Sequence, residues 1–144
     1  DFAWAVVMFG TNDIDAWDWS AEWWRPIWEA YLDELLQRGV VPVLSTIPPE
    51  GRHRQDGLVA KANAVITAVA EAMDLPWIDY HGWILEWQPE AWQGTLLGED
   101  GTHPTGHGVD FTRQGLTETD GYAARNKLVL DAGEALWREV FAER

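Results

Sequence analysis

The chain has 144 residues, 47% of them apolar and 24% charged, the balance of an ordinary folded domain rather than a disordered segment, and it holds no run of about 18 apolar residues able to form a membrane-spanning helix. With 24 acidic against 10 basic side chains, its formal charge of -14 works against nucleic acid and anionic lipid surfaces as partners. Cysteine is absent, which excludes disulfides, thiolate metal sites and a cysteine nucleophile together and leaves the compartment open.

The opening stretch, Asp1 to Asp13, runs through an apolar, β-branched and aromatic segment to Phe9 and then Gly10-Thr11-Asn12-Asp13. It reads as a strand buried on both faces and central to a parallel sheet. At its carboxyl end Gly10 permits a tight turn, and Asn12 and Asp13 aim polar groups outward, where open α/β sheets place their ligands. Residue 1 already lies in or beside this strand, so the chain reads as the C-terminal portion of a single larger domain, truncated at its N-terminus and missing a segment of that domain.

Asp15 to Trp19 is a loop, and Ser20 is placed to cap a helix. Trp24, Ile27, Trp28, Tyr31, Leu32, Leu35 and Leu36 recur at helical steps on one face until Gly39 ends it, with Pro26 tolerated near the start. Val40 to Ile47 is a second strand stopped by Pro48-Pro49, and a right-handed crossover sets it parallel to the first and beside it. The loop Pro48 to Gly57 brings Arg52, His53 and Arg54 near the edge that carries Asn12.

A second helix follows over Leu58 to Met73, with Leu58, Ala62, Val65, Ile66, Val69 and Met73 on its apolar stripe. Pro76 to Tyr80 is a short third strand, and Gly82 to Leu97 is a tryptophan-rich, partly helical connection. Gly98 to Pro104 is a polar turn, and a last helix over about Thr119 to Phe141 turns Tyr122, Val129, Ala132, Leu136, Val140 and Phe141 inward. Neither a repeat nor an interdomain linker interrupts this order.

Asp100 and His103 stand three residues apart in that turn. At this spacing the carboxylate can accept from Nδ1 and fix the tautomer, which leaves Nε2 to take a proton from a nucleophile. Asn12, in a loop at the end of the first strand, can donate its amide to a developing oxyanion. Taken singly, Asp100 could merely cap a turn and His103 stand idle at the surface. It is Asn12 and the order of strands that favour chemistry.

These residues carry a resemblance. Gly10-Thr11-Asn12-Asp13 resembles the third block of the SGNH hydrolases, the GDSL esterase and lipase family, and Asp100-Gly101-Thr102-His103-Pro104 resembles their fifth. The two stand in the right order about ninety residues apart, with the strand Val43 to Pro49, the helix bearing Asn63 and the strand ending at Asp79 between them. The resemblance implies an α/β fold of the flavodoxin-like three-layer α/β/α kind with a parallel sheet. It also implies hydrolysis of an acyl or carbohydrate ester by a Ser-His-Asp mechanism without a cofactor or metal, and it leans towards an extracytoplasmic setting. His103 would be the base, Asp100 its orienter and Asn12 the oxyanion donor, with Gly10 and Thr11 of the same block against the substrate; Trp17, a few residues on, is placed by its position to join them.

The family's nucleophilic serine lies in a Gly-Asp-Ser block, and its second oxyanion donor in a glycine block between that and Gly-x-Asn-Asp. Neither block occurs in this chain, whose two serines, Ser20 and Ser45, lie in other contexts. The serine is therefore expected upstream, and the chain by itself is expected to be inactive and, with an apolar strand edge uncovered, prone to aggregate. A carbohydrate-binding or scaffold module of the same fold is the alternative. A nucleotide-binding domain is disfavoured by the lack of a glycine-rich phosphate loop.

Among the remaining candidates, Asp13 reads as a brace for its loop and Ser45 as structural. His53, His81 and His107 lack, even with Asp79, the spacing of a metal site. Of the 11 tryptophans, Trp24, Trp28 and Trp137 read as core and Trp4 as filling the central strand. Trp17 and Trp19, and Trp83, Trp87 and Trp92, flank the expected cleft, where they either stack on substrate or pack beneath long loops.

Overall fold

A computed structural model describes residues 3–53 and 57–141, with side chains through residue 139. Asp1, Phe2, Arg54 and the side chains of Val140 and Phe141, all given places above, lie outside the described residues. The chain divides into two compact units, Asp1–Asp79 and Tyr80–Arg144.

In the first unit, strands β1 (Ala3–Val7), β2 (Val40–Ser45) and β3 (Trp77–Ile78) form a parallel sheet in the order β1-β2-β3. Ala3 to Val7 pair with Val40 to Leu44, and Leu44 and Ser45 with Trp77 and Ile78. Parallel neighbours need a crossover, and the helices α1 (Ala21–Gln37) and α2 (Leu58–Ala72) supply one each. These helices pack on each other and on β2, and Val7, Leu44 and Ile47 meet Trp24, Trp28, Leu32, Ile66 and Val69 in one core. Full burial of such a side chain contributes roughly 1.5–3 kcal/mol, so the apolar periodicity of the two helices directly sets where they sit.

Two expectations for this unit are corrected. β1 is not central: among the described residues it pairs on one side only, its first residues Ala3 and Trp4 are exposed, and the strand buried along both faces is β2, buried from Pro42 onward. The face of α1 is also narrower than its pattern suggested. Trp24, Trp28 and Leu32 are buried, Leu35 is half-buried, and Ile27, Tyr31 and Leu36 are exposed, because a helix lying on a small sheet covers only the stripe beneath it.

Ser20 does occupy the N-cap position of α1 but makes no side-chain cap bond, and Pro26 lies inside the helix, in its second turn. After β2 the backbone stays buried through Glu50. There Asn63, buried on α2, accepts the Ile47 N–H at 2.8 Å and donates to the Ile47 carbonyl at 3.0 Å. One side chain thus satisfies both polar groups of a residue that has left the sheet.

The second unit holds α3 (Tyr80–Trp87), a single wide π-type turn at Gly115–Thr119 and α4 (Gly121–Phe141). Tyr80, expected to close the third strand, opens α3 instead. Its ring is fully buried and its hydroxyl donates to the Gly121 carbonyl at 3.0 Å, a partner 41 residues away, and burial raises its pKa. The last helix begins at Gly121, not Thr119. Leu136 is buried and Tyr122, Val129 and Ala132 are half-buried, but Trp137, read as core, is 64% exposed.

Asp120 immediately precedes α4 and is buried. Its Oδ1 accepts the Ala123 N–H at 2.8 Å, the bond of a helix N-cap, and its two oxygens take the N–H groups of His107, Gly108, Val109 and Asp110. Burial raises the pKa of this carboxyl, yet the bonds from Ala123, Gly108, Asp110 and Val109 outweigh it and leave the value below the ordinary one. A Cβ at Gly106 would fall 2.3 Å from the Asp120 Cγ, so the loop closes on the carboxylate only because residue 106 has no side chain.

Candidate active site

In the first unit the chain leaves β1 and turns at Gly10, whose φ of +131° suits glycine and whose Cβ position lies 3.0 Å from Trp24 Cη2 and 3.2 Å from Ile47 Cγ2. The Ile14 N–H donates to the Gly10 carbonyl at 3.0 Å, and a 3-10 turn, Asp13–Asp15, follows. Asn12 is exposed at the start of this turn, and its side chain makes no hydrogen bond among the described residues. Asp13 Oδ2 accepts the Trp24 indole N–H at 3.3 Å, the bracing role expected of it. Beside Asn12 lies an open pocket of 390 Å³ lined by Phe9 to Asp13 on one side and by Trp24, Ile27, Trp28 and Tyr31 of α1 on the other. Gly10 and Thr11 are among its lining residues. Trp17 is not, and stands 96% exposed.

In the second unit Asp100 and His103 meet within one turn. His103 Nδ1 donates to Asp100 Oδ2 at 2.7 Å, while Asp100 Oδ1 accepts the N–H groups of Thr102 and His103 at 3.0 and 3.1 Å. The imidazole bond, followed by the backbone bonds from Thr102 and His103, lowers the Asp100 pKa to about 2. The turn is anchored where the Gly98 N–H donates to the His103 carbonyl at 2.8 Å and the Thr105 N–H to the Leu96 carbonyl at 3.0 Å, both sides of the bridge between Leu97 and Pro104. Leu96 and Leu97 are fully buried. His103 is 74% exposed and its Nε2 makes no hydrogen bond among the described residues, so the ring is fixed at one nitrogen and open at the other.

The profile of the GDSL-like lipase/acylhydrolase family matches residues 2–111. The chain belongs to that family. The GDSL-like chain also shares its fold with solved structures. One is a GDSL-like lipase from Bacteroides thetaiotaomicron, at a TM-score of 0.70 and 21% identity over 92% of this chain and 62% of that one. Another is a lipase/acylhydrolase from Enterococcus faecalis, at 0.65 and 22% over 90% and 60%. A third is a catalytic mutant of an acetylxylan esterase from Geobacillus stearothermophilus, at 0.58 and 20% over 71% and 52%. The GDSL-like chain therefore spans between about half and three fifths of the length of these structures. Among curated proteins, no sequence matches it. The α/β class with a parallel sheet is that of the family, as the resemblance implied.

Other residues singled out in the GDSL-like chain are structural in their contacts. Ser45 is buried and its Oγ donates to the Thr46 carbonyl, and Ser20 stands at the start of α1. The Trp83 indole N–H donates to the Leu116 carbonyl at 3.1 Å, Trp87 lies under the Arg113 guanidinium, and Trp92 is buried. Trp19 packs edge-on against Trp24. No three His, Asp or Glu side chains among the described residues group as metal ligands.

Two features escaped the sequence. Asp15, read only as part of a loop, receives Arg52 Nη1 at 2.5 Å and His53 Nε2 at 2.7 Å. Asp120 gathers the loop after His107. The one local signal for Asp120 is an acid directly before a helix, the N-cap pattern. The Asp15 contacts cross 37 and 38 residues and leave no local trace.

Proposed function

We propose that this chain carries the base, orienter and oxyanion donor of an ester hydrolase whose nucleophilic serine lies in a preceding segment outside the sequence. The observation that carries this reading is the Asp100–His103 pair, joined at 2.7 Å with Nε2 open, in a chain of the GDSL-like family that has no Gly-Asp-Ser. In this mechanism Nε2 of His103 accepts the serine proton as Oγ bonds to the ester carbonyl carbon. The electron pair pushed onto the carbonyl oxygen is met by the Asn12 amide N–H. Collapse of the tetrahedral adduct breaks the carbon–oxygen bond to the alcohol, which leaves with the proton from His103. Water then repeats the sequence on the acyl-serine and returns the acid.

The substrate class is an acyl or carbohydrate ester. The acetylxylan esterase relative and the exposed indole of Trp17, free to stack on a sugar ring, support an acetylated carbohydrate. The test is hydrolysis of p-nitrophenyl acetate and of acetylated xylan by this chain alone and by the protein extended through its upstream coding sequence. The extended protein turns over ester and loses the activity on His103→Ala, while the chain alone does not. Turnover by the chain alone that is lost on His103→Ala would overturn the assignment of the serine to another segment.

A further inference from the structure

Asn12 has a side chain that no hydrogen bond holds among the described residues, so its amide is placed by the backbone of its own turn. That turn is fastened at both ends. At the near end the Ile14 N–H donates to the Gly10 carbonyl, and the Asp15 N–H donates to the Asn12 carbonyl at 3.3 Å. At the far end the Asp15 carboxylate is gripped from the segment after β2, by Arg52 Nη1 on Oδ2 and His53 Nε2 on Oδ1.

Arg52 is itself aimed. Its Nε donates to Glu50 Oε1 at 2.8 Å, and Glu50, whose side chain is fully buried, accepts the backbone N–H groups of Arg52 and His53 on Oε2 at 2.8 and 3.1 Å. The guanidinium therefore spans two carboxylates with donors set at a fixed angle, which an ammonium cannot do. In the leg to Asp15 both partners are open, Arg52 51% exposed and Asp15 33%. An ion pair as open as this adds little stability, so what that leg supplies is geometry.

We propose that Arg52 is a positioning residue for the Asn12 amide, acting through Asp15 to hold the turn in the orientation that an oxyanion requires. This rests on the reading of Asn12 as oxyanion donor. Displacement of a catalytic group by about 1 Å can cost as much as a hundredfold in rate, and loosening the far end of a three-residue turn, which loss of Arg52 leaves to the His53 contact alone, permits movement on that scale.

The experiment compares kcat and KM on p-nitrophenyl acetate for the extended enzyme and its Arg52→Gln, Asp15→Asn and Asn12→Ala variants, with each of the first two also made in the Asn12→Ala background. Arg52→Gln and Asp15→Asn should each lower kcat roughly ten- to a hundredfold with KM nearly unchanged, and neither should lower it further once Asn12 is alanine. Equal losses in both backgrounds, or full activity of Arg52→Gln beside an impaired Asn12→Ala, would overturn the inference and leave the hydrolase reading standing. Full activity of Asn12→Ala would remove the oxyanion assignment and the inference with it. Thermal melts accompany each variant, and if Arg52→Gln does not fold, Asp15→Asn, which keeps the side chain's shape, decides.

Discussion

Asp100 is held near a pKa of 2 by the imidazole first and by two backbone N–H groups after it, so it stays ionised wherever an esterase would be assayed. Asp100→Asn then leaves the size of the side chain intact but offers Nδ1 an amide in place of a carboxylate, and the favoured tautomer is lost. In the extended enzyme kcat should fall by roughly 10⁴, the cost of the same change in a serine-protease triad, with folding barely altered because the pair is exposed. Steady-state kinetics beside a thermal melt separates the two. Gly10→Ala acts in the opposite way. Its added methyl would sit 3.0 Å from Trp24 and 3.2 Å from Ile47 at a φ of +131°, so strain and overpacking together should cost about 2–4 kcal/mol, read from the urea midpoint. The turn at Gly10 and the Asp100–His103 pair were legible because turn chemistry and a three-residue spacing are local. The Arg52–Asp15 contact was not, because a guanidinium contact across 37 residues is a product of strand pairing.

At the scale of elements, β1, α1, β2 and α2 were legible because each has the period of its own structure and a Gly or Pro at its end. The third strand was not. Pro76 to Tyr80 reads as a continuous β segment, yet only Trp77 and Ile78 pair, since Tyr80 is drawn into α3 by a buried hydroxyl bond to Gly121 that no local pattern encodes. Trp137 was misplaced for a related reason. Helical spacing gives its direction around α4 but not which neighbour, if any, covers it.

The start of α4 allows a sharper test. Asp120→Ala removes an N-cap and leaves several backbone N–H groups of a partly buried loop without an acceptor, which should cost about 2–4 kcal/mol. Folding lowers the Asp120 pKa, so the unfolded chain binds its proton more tightly. The carboxylate's contribution is complete above the unfolded value, near pH 4, and fades as pH falls through the lower folded one. As pH falls from 7 into and below the ordinary carboxylate range, urea midpoints of the two proteins should draw together; a constant gap would show that Asp120 acts through shape and not charge.

For the whole molecule, two properties oppose each other. β1 pairs on one side only among the described residues, and Trp4 near its start is 37% exposed, which makes its outer edge a template for a strand from another copy. The formal charge of -14 keeps copies apart, but only over the Debye length, about 30 Å at 0.01 M salt and 3 Å at 1 M. Added salt removes the repulsion and leaves strand pairing and apolar contact intact. The chain alone should therefore sediment mainly as monomer at low ionic strength and associate progressively as sodium chloride is raised. A Val6→Lys change, which sets a charge on the half-buried edge strand without touching either candidate site, should shift that onset to higher salt. Velocity sedimentation across a salt series follows both. Association that weakens with salt would mean that charge pairing drives it, and a monomer with one sharp melting transition at high salt would mean that the β1 edge is protected in solution.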